Sequence, residues 1–270
     1  MSIFFVSLSR LFMKRKLFFL IAFLVGITMY GQTVYEPSGK RSVKTVEVGH
    51  YKNIFIDESH FDITLRNSRD RQIQIEADDA IHPIIKARVE KDTLKLNIET
   101  EGGVVFITTG KINISLPVSE EVQKIHFKMA GNISCEKELK LKKAAIEMEY
   151  VSNLNLPLRV DDLQLKIGLA RKGSVSLQSK NCTLYSRWVK EIAFSGKVGN
   201  LEIEGCDGNL NFENVRVENV FFKEVNGIGT MRLWVEDTLK GSISGILTVQ
   251  YKGNAANEVT ASGISKVVKQ

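Results

Sequence analysis

The 270-residue chain reads as an all-β protein, a coil of parallel strands wound in steps of about nineteen residues. Three observations predict it. Short segments alternate apolar and polar residues with period two, helical periodicity is nearly absent, and paired apolar residues recur in the second half at a fixed spacing. Leu163/Leu165, Cys182/Leu184, Leu201/Ile203 and Val220/Phe222 begin nineteen residues apart each time. Leu239 keeps the step with Gly241 in the second place, and Ala144/Ile146 stands one step earlier. A second set of pairs follows at a looser offset: Val175/Leu177, Ile192/Phe194, Leu210/Phe212, Met231/Leu233 and Leu247/Val249. A fixed period with two strands per repeat is the sequence form of a β-solenoid, in which each turn buries its apolar face only by stacking on the next. At roughly 3.3 Å per residue, two strands and their bends fill such a turn. A β-sandwich is the alternative all-β architecture, since its strands also alternate at short intervals. The constant register favours the coil.

The elements follow in order. Lys14, Arg15 and Lys16 precede thirteen mostly apolar residues, 17–29, and then Tyr30, Gly31 and Gln32. A charged start, an apolar core and a small residue at its end describe a secretory signal peptide, residues 1–31, cleaved near Gly31/Gln32. Thirteen residues at 1.5 Å each span about 20 Å, short of a bilayer's roughly 30 Å core, which argues against an uncleaved anchor. Met13 opens a conventional signal by itself, and no cysteine near the cleavage point suggests a lipoprotein. The mature chain is expected outside the cytoplasm: secreted, periplasmic or at the cell surface. Residues 32–42 read as a linker and 43–270 as one domain, with 43–130 forming a cap or less regular turns.

Within that domain the first strands are 43–48, 61–65, 73–75, 94–98 and 112–116. Pro83 turns the 84–89 stretch into a strand rather than a long helix. In the repeats, Gly173, Gly208, Gly229 and Gly245 suit tight bends. Asp162, Asn181, Asn200, Asn219 and Thr238 form a corner column whose stacked side chains can hydrogen-bond along the coil.

Charge excludes one class of partner. Lys and Arg total 37 against 31 acids, but Arg10, Lys14, Arg15 and Lys16 belong to the signal, and without these four the balance is 33 to 31. A nearly neutral chain has no electrostatic footprint for nucleic acid. The three cysteines, Cys135, Cys182 and Cys206, are too few for a disulfide framework. Buried thiols are expected, with a Cys182–Cys206 bridge as the alternative.

A search for chemistry finds little. His50, His60, His82 and His126 lack the short spacing of a zinc site. His60 and Asp62 alternate around Phe61 and face solvent. Glu147/Glu149 and Glu202/Glu204 are of the type glycosidases use, but flanking inward Met148 and Ile203 they read as the wet face of a strand. Asp78-Asp79 and Asp161-Asp162 read as capped turns rather than calcium loops. The lysines of 137–143 alternate with Leu139 and Leu141, and 226–229 lacks the lysine of a phosphate loop. No catalytic, cofactor or metal residues emerge. If the apolar pairs point inward, the outward column is Gln164, Thr183, Glu202, Phe221 and Lys240. Phe221 is its one apolar member. Trp234, beside Arg232, is a second outward aromatic, and Tyr185 and Trp188 also point out. Phe221, Arg232 and Trp234 are therefore the candidate contact residues.

The chain also resembles the GIN-domain family of secreted bacterial proteins, the auto-transporter adhesin head domains, over residues 43–270. The likeness is carried by Phe61-Asp-Ile-Thr-Leu65, Ile75-Glu-Ala-Asp-Asp79 and Asp92-Thr-Leu-Lys-Leu96, by turns at Ala130-Gly-Asn132 and Asn226-Gly-Ile-Gly229, and by the close, Val249-Gln-Tyr-Lys-Gly-Asn254 with Ala261-Ser-Gly263. Ala255 stands where the family has proline, and the turns 170–173 and 187–190 lack glycines usual there. The resemblance implies a right-handed parallel β-helix, a surface or secreted role, and no catalytic residues. It implies adhesion to a cell-surface glycan or protein without a cofactor. A polysaccharide lyase or hydrolase and a self-associating envelope protein are the alternatives.

Overall fold

In a computed structural model of the chain, the described residues are 34–100, 105–106 and 110–270. The expected signal peptide lies outside them. Among the described residues the fold is all-β, and its single helical element is one 3-10 turn, His82–Ile84. The strands are β1 (Val34–Tyr35), β2 (Arg41–Glu47), β3 (Asn53–Glu58), β4 (Phe61–Asn67), β5 (Gln72–Asp78), β6 (Ile85–Glu90), β7 (Thr93–Ile98), β8 (Val105–Phe106), β9 (Ile112–Val118), β10 (Lys124–Cys135), β11 (Leu139–Lys252), β12 (Ala256–Ala261) and β13 (Lys266–Lys269). As expected, Pro83 sits in a turn, the 3-10 turn that begins at His82, and β6 follows it directly.

The first strands pair both ways. β2 with β5, β5 with β9 and β6 with β7 are antiparallel. β3 with β7, β4 with β9, and β10 with both β3 and β4 are parallel. β2 is an edge, and its Val43 is exposed where alternation would have buried it. Part of the expected linker is bound to the domain: β1 pairs with β8, and Ser38 and Gly39 donate their backbone N–H groups to Asp78.

From β10 onward the pairing is parallel, and the chain returns beside itself at a near-constant interval. β11 is 114 residues of continuous strand, which laid straight would run about 380 Å. Instead a Cβ built on Gly196 would fall 2.0 Å from the Leu177 carbonyl oxygen, and one on Gly241 2.1 Å from that of Phe222. Both partners stand nineteen residues earlier. β10 lies on β11 with Lys124 opposite Ala145, and β11 on β12 with Thr238 opposite Ala256. The expected corner ladder forms: Asn181 Nδ2 donates to Asp162 at 2.7 Å, Asn200 to Asn181 at 2.9 Å, and Asn219 to Asn200 at 3.2 Å.

The core is one contiguous cluster along this stack. Every apolar residue named above as inward in the second half, from Ala144 to Val249, is buried. Phe194 and Phe212 pack ring on ring at 4.5 Å between centroids. The cysteines are free and buried, and burial pushes their thiols up to about 12. They are packing residues.

Asp78 closes the N-terminal end. Burial alone would raise its pKa, but donors from Ser38, Ala80 and Gly39 hold the carboxylate down at about 2. A depressed folded-state pKa contributes stability above the unfolded value of about 3.9, lost as pH falls through the folded one. Thermal melts from pH 7 to pH 2 should show this contribution disappearing between about pH 4 and pH 2. Asp78→Asn should be less stable at neutral pH and flatter across that window. An unchanged slope would contradict the assignment.

Candidate functional site

Parallel register brings side chains from four successive segments to one outer face. His126 of β10 lies opposite Glu147 of β11, and Met129 opposite Tyr150. Glu147 and Glu149 flank buried Met148 and so project together. One step on, Lys166, Gly168 and Leu169 occupy the same places, then Tyr185, Arg187 and Trp188, then Glu204. From Glu147 to Glu204, without the β10 residues, these four segments line a groove of about 790 Å³. Its outer wall is apolar: Tyr150 is 58% exposed, Leu169 41% and Trp188 63%. The floor is polar and carries both charges.

Two local features shape it. A Cβ at residue 205 would sit 2.6 Å from the Tyr185 ring, so the absence of a side chain at Gly205 lets that ring lie against the next turn. Trp188 has φ 55°, left-handed backbone that disfavours any residue but glycine. Lys91, Asp92 and Glu224 share that region, but Trp188 is the one aromatic among the four.

Apart from Lys166, the groove's charges are partnered. His126 Nε2 lies 2.8 Å from Glu149 Oε1, Lys124 Nζ 3.5 Å from Glu147, Arg187 Nε 3.3 Å from Asp207, and Lys223 Nζ 3.1 Å from Glu204. Phe55 meets the His126 ring edge-on at 5.2 Å. The ligand atoms of His126, Glu147 and Glu149 lie within 4.8 Å of one another, a set able to hold a metal ion. A second hollow of about 440 Å³ at the N-terminal end has Arg69 paired with Glu120 and His50 with Glu121. Its Tyr51 hydroxyl is bound to the Pro117 carbonyl, which leaves little there for a ligand.

The residues expected from sequence are placed differently. Arg232 and Trp234 share one side of a strand, while Phe221 is exposed on the preceding segment in the column of Glu202 and Lys240. Arg232 Nε donates to Gln250 at 3.1 Å. Both faces of Trp234 are covered, by the Arg216 guanidinium at 4.5 Å and the Lys252 ammonium at 4.7 Å from the ring centroid. That sandwich leaves the indole no free face for stacking a ligand. The groove was missed because Glu147 and Glu149 read as a wet strand face. The available signals were Tyr150, Leu169 and Trp188 at nineteen-residue steps and the missing glycine of the 187–190 turn.

A family model described as "Putative auto-transporter adhesin, head GIN domain" matches residues 50–255. The chain belongs to this family. No curated protein matches this GIN-domain chain. Its fold is shared with a crystal structure described as a putative lipid binding protein from Parabacteroides distasonis, at TM-score 0.71 and 15% identity over 88% of this chain and all of that one. A putative adhesin from Parabacteroides merdae aligns at TM-score 0.63 and 20% identity over 88% and 99%. One from Bacteroides fragilis aligns at 0.54 and 21% over 87% and 99%. At these identities the likeness is one of fold. Among the described residues no helix is long and apolar enough to cross a membrane.

Proposed function

We propose that this GIN-domain chain is an extracytoplasmic, non-catalytic binding protein, a right-handed parallel β-helix that attaches to cell-surface glycan through the Tyr150–Trp188 groove. The observation that carries the reading is the exposed Trp188 ring, held at an unfavourable φ beside a floor of alternating acids and bases. Aromatic rings stack on the apolar faces of sugars, while carboxylates and guanidinium groups take their hydroxyls, and a rigid strand platform costs little to organise. The family's adhesin label and the N-terminal signal pattern support the placement outside the cytoplasm.

The carboxylate geometry favours binding over hydrolysis. Glu147 and Glu149 come from one strand and stand on the same side of the groove. Glu204 lies three turns further, about 14 Å at 4.8 Å per strand spacing. Glycosidase acids flank the scissile bond at about 5–9.5 Å. The test is a glycan array with the exported chain, followed by calorimetry on the best ligand. Tyr185→Ala should weaken binding at least tenfold without loss of fold, and no ligand should be cleaved. Absence of any glycan binding would sink the reading; cleavage that Glu149→Gln abolishes would replace it with an enzyme.

A further inference from the structure

The exposed apolar residues, the groove's outer wall among them, are arranged in a way that chance does not give. Ten large hydrophobic side chains are exposed among the described residues, and seven of them, Met129, Tyr150, Leu169, Trp188, Ile228, Ile246 and Ile264, occupy one corner of the stack. The registers place them there. Met129 lies opposite Tyr150, and Gly168 stacks on Glu149, which sets Leu169 beside Tyr150. The Gly208 backbone approaches Trp188, Gly229 stacks on Gly208, Gly245 on Gly227, and Gly263 on Gly245. Ile228, Ile246 and Ile264 therefore follow one another at steps of eighteen residues, each directly after a glycine that gives it no cover. They are 61%, 54% and 75% exposed. Only the turn at Asp207-Gly208 interrupts the line. Isoleucine is a poor turn residue, so its threefold recurrence at the most exposed position asks for a partner.

We propose that this corner is a ridge that docks on the anionic surface of a lipid bilayer. Seven strand spacings of about 4.8 Å make it roughly 34 Å long, straight and one residue wide. Three of its members wall the groove and the others protrude singly, so a rigid protein partner would need a matching shape. Single file, it also falls short of the roughly 20–30 residues a side of a stable protein interface. A bilayer interface accepts protruding Trp, Tyr and Ile side chains without a preformed shape. The flanking charges give the sign. Lys128 and Arg187 beside the ridge are paired with Asp57 and Asp207, and Glu149 with His126, which leaves Arg171, Lys172 and Lys266 as a cationic excess that complements anionic headgroups. Because Tyr150, Leu169 and Trp188 also wall the groove, bilayer and glycan would occupy that part of the corner alternately.

Co-sedimentation of the exported chain with phosphatidylglycerol-containing and pure phosphatidylcholine vesicles tests this. The wild type should pellet at least fivefold more with the anionic vesicles. The triple variant Ile228→Ser, Ile246→Ser, Ile264→Ser should lose that excess while keeping its circular dichroism and glycan binding, since these side chains are exposed and none lines the groove. As a second readout, brominated lipid should quench Trp188 in a Trp234→Phe background, where it is the one remaining tryptophan of two. Equal pelleting of wild type and triple variant, no preference for anionic lipid, or no quenching would each overturn the proposal. So would a concentration-dependent dimer that the triple variant abolishes without any vesicle binding, which would assign the ridge to a second copy.

Discussion

Replacing Gly241 by valine is expected to lower the melting temperature by roughly 10 °C or more. The residue has φ 113°, and its Cβ would lie 2.1 Å from the Phe222 carbonyl oxygen, an atom of the stacked backbone that has nowhere to go. Adopting that dihedral with an L side chain costs about 1–3 kcal/mol, and forcing atoms into packed structure about 1–3 kcal/mol more. For a domain of this size each kcal/mol moves the midpoint by about 2–4 °C. Gly39→Ala supplies the contrast. It too has positive φ, 75°, but nothing lies within 4 Å of its Cβ, so about 1 kcal/mol is expected. Differential scanning calorimetry of both variants checks the stacking. Equal, small shifts would mean that turns do not lie on one another at Gly241.

Trp188→Gly should do the reverse at the other end of the account: cost function and spare the fold. Glycine relieves about 1–2 kcal/mol of left-handed backbone strain and gives back about 0.5–1 kcal/mol in unfolded-chain entropy. The melting temperature should therefore stay within a few degrees. The exposed ring contributes little to the core, but it forms the apolar wall of the groove, so glycan affinity should fall at least tenfold. A variant that melts much lower would show that the ring holds the turn together instead.

How much of this was legible in the sequence depends on which interactions set each feature. Inward positions such as Leu201, Val220 and Leu239 were readable because each must be apolar to be buried against its neighbours one turn away, and the structure buries all three. The Asp162–Asn181–Asn200–Asn219 ladder was readable for the same reason, since its side chains bond only if the register holds. The exposure of Val43 was not readable, because alternation cannot tell an edge strand from a covered one. Asp78's tie to Ser38 spans about forty residues in sequence and has no local sign, so the 32–42 segment looked like a linker.

The candidate site was legible only in part. Tyr185 and Trp188 were read as outward, yet Trp234 was taken with Phe221 and Arg232 as the contact, because nothing local announces that Arg216 and Lys252 will sit over its ring. Those cations come from the turns before and after, eighteen residues away on either side. The groove likewise combines residues from four turns, of which Glu147 and Glu149 alone look like ordinary solvated charges.

Calorimetric titration of the best array glycan into the wild type, Trp188→Gly and Trp234→Phe tests the central claim most directly. The account predicts that Trp188→Gly loses at least tenfold in affinity and Trp234→Phe binds as the wild type does. Loss of binding on changing Trp234, with Trp188→Gly unaffected, would contradict it and return the contact to the Phe221–Arg232–Trp234 surface.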